Sequence, residues 1–351
     1  VPLPCDFCPA GLSRAVSVDS LRHIAWKEFK LERLLFILAV SFGSLAVGYL
    51  VQLILLSATA IRFERIVSAS GVMKLVALVG LQPIPIINSF WRLTLANREL
   101  LALPALGALS LVVGGSSAIV FIKILRIPPQ RAGSVFTAGM FTNIGIFGAL
   151  IGYVLYGNLG FTVVQLFRVF EEVIYYAIGF PLSQQIGKGA LQGFRFNLRL
   201  LTDRPIIFVP ITAILLGAML NLSSLAPPAF LGTASSYIVP VMTGLLGFAI
   251  GVTLRLTRIS AYRMEVGLVL VIKYAIIPIV IIPLAFAFGL SQIAGGVPFT
   301  MVAIVSFMPT AFIALVPPVL YNFDLDLANS AWLVTTLALL LIFPVVYFTV
   351  T

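Results

Sequence analysis

Between Leu34 and Val350 the chain is a succession of continuously apolar blocks separated by short polar connectors. Each block is roughly 20–29 residues long, the length a helix needs to cross a bilayer core about 30 Å thick. No soluble fold requires so many blocks of that length in a row. Charged residues make up only 10% of the 351 residues and hydrophobic ones 60%, with a mean hydropathy of +1.12. The blocks lack the strict alternation of barrel strands, so they read as helices. The expected fold class is an all-α polytopic membrane protein with about ten transmembrane helices. Soluble enzymes and nucleic-acid binders are set aside on that ground.

The formal net charge of +10 would otherwise invite a nucleic-acid partner. The basic residues lie in the connectors between spans, where positive charge marks cytoplasmic loops. The chain opens on Val1 rather than Met, so its natural start is expected upstream. Cys5 and Cys8 form one C-x-x-C. A zinc site needs four ligands, and His23, the single histidine, does not complete the set. The pair reads as two thiols in a tail, and no metal or other cofactor is expected.

The spans read as Leu34–Ser57, Val72–Trp91, Leu100–Leu125, Ser134–Tyr156 and Phe161–Ile186, then Pro205–Leu225, Ile238–Leu256, Val266–Leu290, Val297–Tyr321 and Ala328–Val350. Residues 1–33 form a tail in which Leu21, Ile24, Ala25, Trp26 and Phe29 suit a helix lying on the membrane surface. Residues 34–186 and 205–351 are then two five-helix halves joined by a basic loop, 187–204. Arg62 and Arg65, Lys123 with Arg126 and Arg131, Lys188 with Arg195 and Arg199, and Arg255 with Arg258 all fall in odd-numbered connectors. These connectors are expected in the cytoplasm and both chain ends outside.

Five spans before the central loop place the two halves upside down relative to each other. Tyr153-Val154-Leu155-Tyr156-Gly157 lines up with Pro318-Val319-Leu320-Tyr321-Asn322 at an offset of 165, which also lays the first span on the sixth and the second on the seventh. Inverted repeats of this kind are characteristic of secondary transporters, whose sites form where helices break near the bilayer midplane.

Two spans carry such breaks in corresponding positions. In the fourth, Thr142 and Asn143 stand among Gly139, Gly145 and Gly148. In the ninth, Pro309 and Thr310 follow Met308, and Pro309 removes a backbone donor. Glycines also serve close helix packing, but coincidence of both breaks in the repeat favours a binding role for Asn143, Gly145, Thr142, Pro309 and Thr310. Charged groups inside spans are functional candidates. Glu171 and Glu172 lie midway along the fifth span and Lys273 within the eighth, and they are the candidates for coupling transport to an ion. Arg168 stands at i,i+3 and i,i+4 spacing to the glutamates, so a static ion pair is the competing reading. Adjacent glutamates also occur in intramembrane proteases of the E-E-x-x-x-R type. Here the arginine precedes the pair and no span holds a histidine, so no enzyme is expected. Pro83, Pro85 and Pro240 are expected to interrupt the second and seventh spans as bends in a scaffold.

Several of these runs resemble the auxin efflux carrier family, which includes the plant PIN carriers and bacterial members. They are Asp203-Arg204-Pro205 with Gly217 and Ala226-Pro227-Pro228, Pro240 with Gly247 to Thr253-Leu254, Lys273 with Pro278, Met308-Pro309-Thr310-Ala311, and Asn143-Ile144-Gly145-Ile146-Phe147-Gly148. The resemblance implies ten helices in two inverted repeats, with spans 1, 2, 6 and 7 as scaffold and spans 3–5 and 8–10 as a moving transport domain. It implies that the fourth and ninth helices cross at Asn143 and Pro309, where a small organic anion binds. The fourth span departs from the family in having no proline near Asn143. The absence of a long hydrophilic central loop resembles the bacterial members, whose place is the inner (plasma) membrane.

The expected function is therefore secondary transport of small carboxylates, auxin-like or dicarboxylic, by an elevator movement. Its partners are the anion and membrane lipids, with a homodimer as a further expectation. The alternatives are a sodium- or proton-coupled carrier of the bile-acid or antiporter type, and a non-transporting ligand sensor on a carrier fold.

Overall fold

The computed structural model describes residues 31–58, 62–93, 98–189, 205–223, 225–254 and 259–350. The Cys5/Cys8 tail with its expected interfacial helix and most of the 187–204 loop lie outside them. Seven helices are long and apolar enough to cross a bilayer: α1 (Leu31–Ser57), α2 (Phe63–Trp91), α3 (Glu99–Ile124), α5 (Ile144–Gly187), α7 (Ala229–Gly251), α8 (Ser260–Ala287) and α11 (Leu325–Val350). Shorter helices complete the set: α4 (Pro129–Met140) before α5, α6 (Pro205–Leu222) before α7, and α9 (Ala294–Ser306) and α10 (Phe312–Tyr321) between α8 and α11. Among the described residues there is no strand. The fold is that of a polytopic α-helical membrane protein.

Most helices begin a few residues earlier than the apolar blocks predict, and α2 and α7 differ most. α2 starts at Phe63 instead of Val72, taking in Glu64 and Arg65, so Lys74 lies well inside it. α7 starts at Ala229 instead of Ile238, directly after Pro227-Pro228. In its polar first turns the hydroxyls of Ser235 and Ser236 are satisfied within the helix, donating back to the carbonyls of Leu231 and Thr233. Pro240 was expected to interrupt this span, yet it sits inside one continuous helix.

α5 joins two predicted spans without a separate connector. It runs through most of the fourth and all of the fifth as a helical hairpin, turning at Tyr156 and Gly157 (φ 59°, ψ −140°), a backbone conformation open to glycine. A second interruption falls at 168–170, where Arg168 and Phe170 both lie near φ −95° and ψ 0°. Glu171 and Glu172 thus stand in the first turn of a new helical segment rather than midway along an unbroken one. Carboxylates are favoured there, against the positive end of the helix dipole.

The helices pack in recognisable pairs. α6 lies along residues 83–91 of α2, and α7 lies along both α1 and that same part of α2. α4 packs on α3, on residues 180–187 of α5 and on α11, while α8 packs on α3, α9 and α11. An ion pair between Arg131 Nη1 and Glu265 Oε1 at 3.0 Å ties the starts of α4 and α8 together. Leu50, Ile54, Leu215, Met219, Ile279 and Leu341 are more than half exposed on the outer faces. Patches this apolar are uncommon on soluble monomers and suit contact with lipid.

Candidate functional site

α4 ends at Met140 because Phe141 turns extended, with φ −82° and ψ 126°. α9 ends at Ser306, three residues before Pro309, which has no N–H to continue a helix. The two interrupted segments then meet. Thr142 and Thr310 form an isolated antiparallel bridge. The Asn143 N–H donates to the Pro309 carbonyl at 2.8 Å, and the Ala311 N–H donates to the Phe141 carbonyl at 2.9 Å. Backbone groups freed from a helix inside hydrocarbon must find partners within the protein, and here each break supplies them to the other.

Side chains complete the crossing from behind. Lys273 is fully buried on a wide i→i+5 turn of α8, Ile272–Ile276, a local widening that recurs at functional sites. Its ammonium donates to the Phe141 carbonyl at 2.9 Å and to Thr142 Oγ1 at 2.7 Å. It therefore sits at the negative, C-terminal end of α4. The Thr310 hydroxyl donates to the Ala138 carbonyl at 2.9 Å, and the Thr310 N–H reaches Thr335 Oγ1 at 3.2 Å.

A cavity of about 240 Å³ opens beside the crossing. Thr142, Asn143 and Gly145 line it, as do Glu171 and Glu172; Pro309, Thr310 and Lys273 hold the crossing without lining the cavity. Leu78, Ile146, Leu246, Ile250, Ile313 and Val316 make most of the wall apolar. A few convergent polar groups in an apolar concavity are the usual character of a small-molecule site. The Asn143 amide is the conspicuous one. The residue is 4% exposed, and its Nδ2 has no hydrogen-bond partner among the described residues.

Arg168 and the two glutamates form a charged group on one side of this cavity. Arg168 Nε lies 2.7 Å from Glu171 Oε2, and Arg168 Nη2 lies 3.5 Å from Glu172 Oε1. The Tyr175 hydroxyl accepts from the Thr142 N–H at 2.8 Å. It lies 2.9 Å from the Thr142 carbonyl and 3.0 Å from Glu171 Oε1, and its single proton serves one of them at a time. The guanidinium covers Gly145 so closely that a Cβ there would stand 2.7 Å from its Cζ. In this conformation the glutamates face Arg168, and Lys273 contacts the backbone of the crossing.

Two contributors escaped the sequence reading. Tyr175 carries no charge and looks like one more aromatic in an apolar block. Lys74 stands near the start of the second block, where a lysine reads as a span end. It reaches the cavity from α2, its ammonium 3.8 Å from the Phe312 ring centroid. Among the described residues no carboxylate lies within ion-pair distance of it. The early start of α2, signalled by Phe63-Glu64-Arg65, was the available clue.

No protein-family model matches the chain. The chain is 23% identical over 265 residues to an uncharacterized transporter of Methanothermobacter thermautotrophicus, an alignment covering 75% of this chain and 83% of that protein. This is weak similarity spread along most of both chains.

Proposed function

We propose that this protein is a secondary transporter of small organic anions, of the auxin-efflux-carrier type, built from two inverted five-helix repeats. The single observation that carries the reading is the unpartnered Asn143 amide at the crossing of two interrupted helices, in a residue that lines a cavity of small-molecule size. The similarity to a transporter supports the general class. The repeat is supported by matching irregularities. The helix ends Met140 and Ser306 are 166 residues apart, and the positive-φ turns at Gly157 and Asn322 are 165 apart. A scaffold of spans 1, 2, 6 and 7 is supported by the mutual packing of α1, α2, α6 and α7. The remaining helices would carry the crossing past it.

The helical segments that follow the crossing begin beside Asn143 and Ala311, and the first turn of a helix leaves N–H groups without intrahelical acceptors. With the Asn143 amide they would receive one carboxylate oxygen set, and Lys74 would face it across the cavity. The apolar wall suits the body of an amphipathic monocarboxylate better than a second charge. Lys74→Met keeps the apolar stem and removes the ammonium. A charge-assisted hydrogen bond contributes about 1.5–3 kcal/mol, so ligand affinity should fall roughly 10- to 100-fold, read as the shift in half-saturating carboxylate concentration. An unchanged value would leave Lys74 to its contact with Phe312.

The decisive experiment is a thermal-shift screen of the purified protein against mono- and dicarboxylates, with hits carried into proteoliposome uptake. A specific ligand stabilises the folded form by mass action. Stabilisation without uptake would return the protein to the sensor reading, and neither effect would remove the anion.

Topology has its own test. Basic residues in odd-numbered connectors put the 187–204 loop in the cytoplasm and both ends outside. A cysteine introduced at Gln192, with Cys5 and Cys8 replaced, should resist a membrane-impermeant thiol reagent in intact cells and react after permeabilisation. Labelling in intact cells would overturn the orientation.

A further inference from the structure

A second, much smaller cavity lies between α2, α5 and α6, with a volume of about 20 Å³, enough for one water molecule. Gln82 of α2, Gln165 and Glu172 of α5, and Pro210, Ile211 and Ile214 of α6 border it. Three buried polar atoms here have no partner among the described residues: Gln82 Nε2, Gln165 Nε2 and Glu172 Oε2. Both glutamines are at least 98% buried, at 1% and 2% exposure.

The two glutamates are thus not equivalent. Glu171 has a partner for each oxygen, Arg168 at 2.7 Å for one and, when its proton turns that way, the Tyr175 hydroxyl at 3.0 Å for the other. Glu172 keeps only a 3.5 Å approach of Arg168 Nη2 to its Oε1, and its other oxygen is bare. A bare carboxylate oxygen away from water is costly, and a proton removes that cost if its O–H finds an acceptor.

We propose that Glu172 is a proton-binding site, its carboxyl held through one water shared with the amides of Gln82 and Gln165, and that this proton is the coupling ion. The proposal rests on the transporter reading for its second half only. Glutamine suits the task because a half-turn of the amide exchanges donor for acceptor. The pair can donate toward the water when Glu172 is ionised and accept from it when Glu172 is protonated. Gln82 belongs to α2, whereas Gln165 and Glu172 belong to α5. Sliding α5 along α2 and α6 would separate the amides and expose the carboxyl to one side of the membrane.

The charged and titratable groups that line the two cavities with Glu172 are Arg168, Glu171, Tyr175 and Tyr176 from its own helix and Lys74 from α2; among the bordering residues α6 presents only Pro210, Ile211 and Ile214. A sodium ion fits poorly. Its side chains offer at most four oxygens, and the Arg168 guanidinium already approaches one of them.

Infrared difference spectra between acidic and alkaline buffer, recorded on the protein in lipid nanodiscs, test the proton site without any substrate. The stretch of a protonated buried carboxyl should appear in the wild type, remain in Glu171→Gln and be lost in Glu172→Gln. Gln82→Leu should move the pH at which it appears. Persistence of the band in Glu172→Gln, or its loss only in Glu171→Gln, overturns the assignment. In proteoliposomes, an imposed pH gradient should drive accumulation of benzoate or succinate beyond that in protein-free liposomes, which neutral benzoic acid crosses unaided, and Glu172→Gln should lose that excess. Carboxylate movement that ignores the pH gradient, or that follows a sodium gradient instead, overturns the coupling role. If neither probe moves, the transport reading fails for them while the infrared band still decides the proton site.

Discussion

Asn143→Ala abolishes carboxylate uptake in proteoliposomes and leaves the melting temperature close to that of the wild type. Both halves of this expected result come from the same geometry. The Asn143 backbone holds the crossing through its N–H to the Pro309 carbonyl, and alanine keeps that bond. The side-chain Nδ2 makes no bond within the described protein, so its removal forfeits no internal hydrogen bond. A buried amide without a partner costs stability, and it persists where a ligand completes it. Wild-type uptake by Asn143→Ala would return the residue to packing. A collapse of melting temperature would show that the amide holds the crossing itself.

Gly107→Ala produces the opposite pattern, a large loss of folded protein. Gly107 of α3 lies against the backbone of α5 near the second interruption, and a Cβ on it would stand 1.6 Å from the Phe167 carbonyl oxygen. No rotamer change relieves a clash with main chain, so the two helices must separate. Overpacking a well-packed interior typically costs about 1–3 kcal/mol and occasionally more, and this contact belongs at the upper end. Gly71 of α2 meets nothing within 4 Å, so Gly71→Ala is the matched control. Detergent-solubilised Gly107→Ala should melt well below wild type while Gly71→Ala does not. Equal melting of the two would mean that α3 and α5 approach less closely than described.

The parts of this architecture that were legible in the sequence are those written in local chemistry. Thr142-Asn143 among glycines and Pro309 mark the two interruptions because those residues fail as helix wherever they stand. Arg168 with Glu171 was legible from their i,i+3 spacing, which the turn at 168–170 preserves although the helix is interrupted there. Other features depend on which helices become neighbours. Gln82, Gln165, Lys74 and Tyr175 are single polar residues in apolar blocks, separated by as many as 101 positions, and no local pattern announces that they converge. Helix starts were misjudged for a related reason. Hydropathy marks the part of a helix that meets hydrocarbon, whereas α2 and α7 extend past it on polar turns. The turn at Tyr156 and Gly157 was legible as the end of the fourth span, whereas the interruption at 168–170 was hidden inside the apolar fifth.

The mutual pairing of the two interruptions also dictates an order of manufacture. Among the described residues the Asn143 N–H finds its partner only at Pro309, and the Phe141 carbonyl finds its donors at Lys273 and Ala311, well over a hundred residues further along the chain. Ribosomes add about 5–20 residues per second, so the first interruption must wait on the order of ten to thirty seconds inside the membrane. Throughout that interval its main-chain groups need a temporary host, from water, lipid headgroups or the insertion machinery. A nascent chain stopped before Pro309 should therefore remain a client of the membrane's quality control, and the ninth segment is the piece whose arrival releases it.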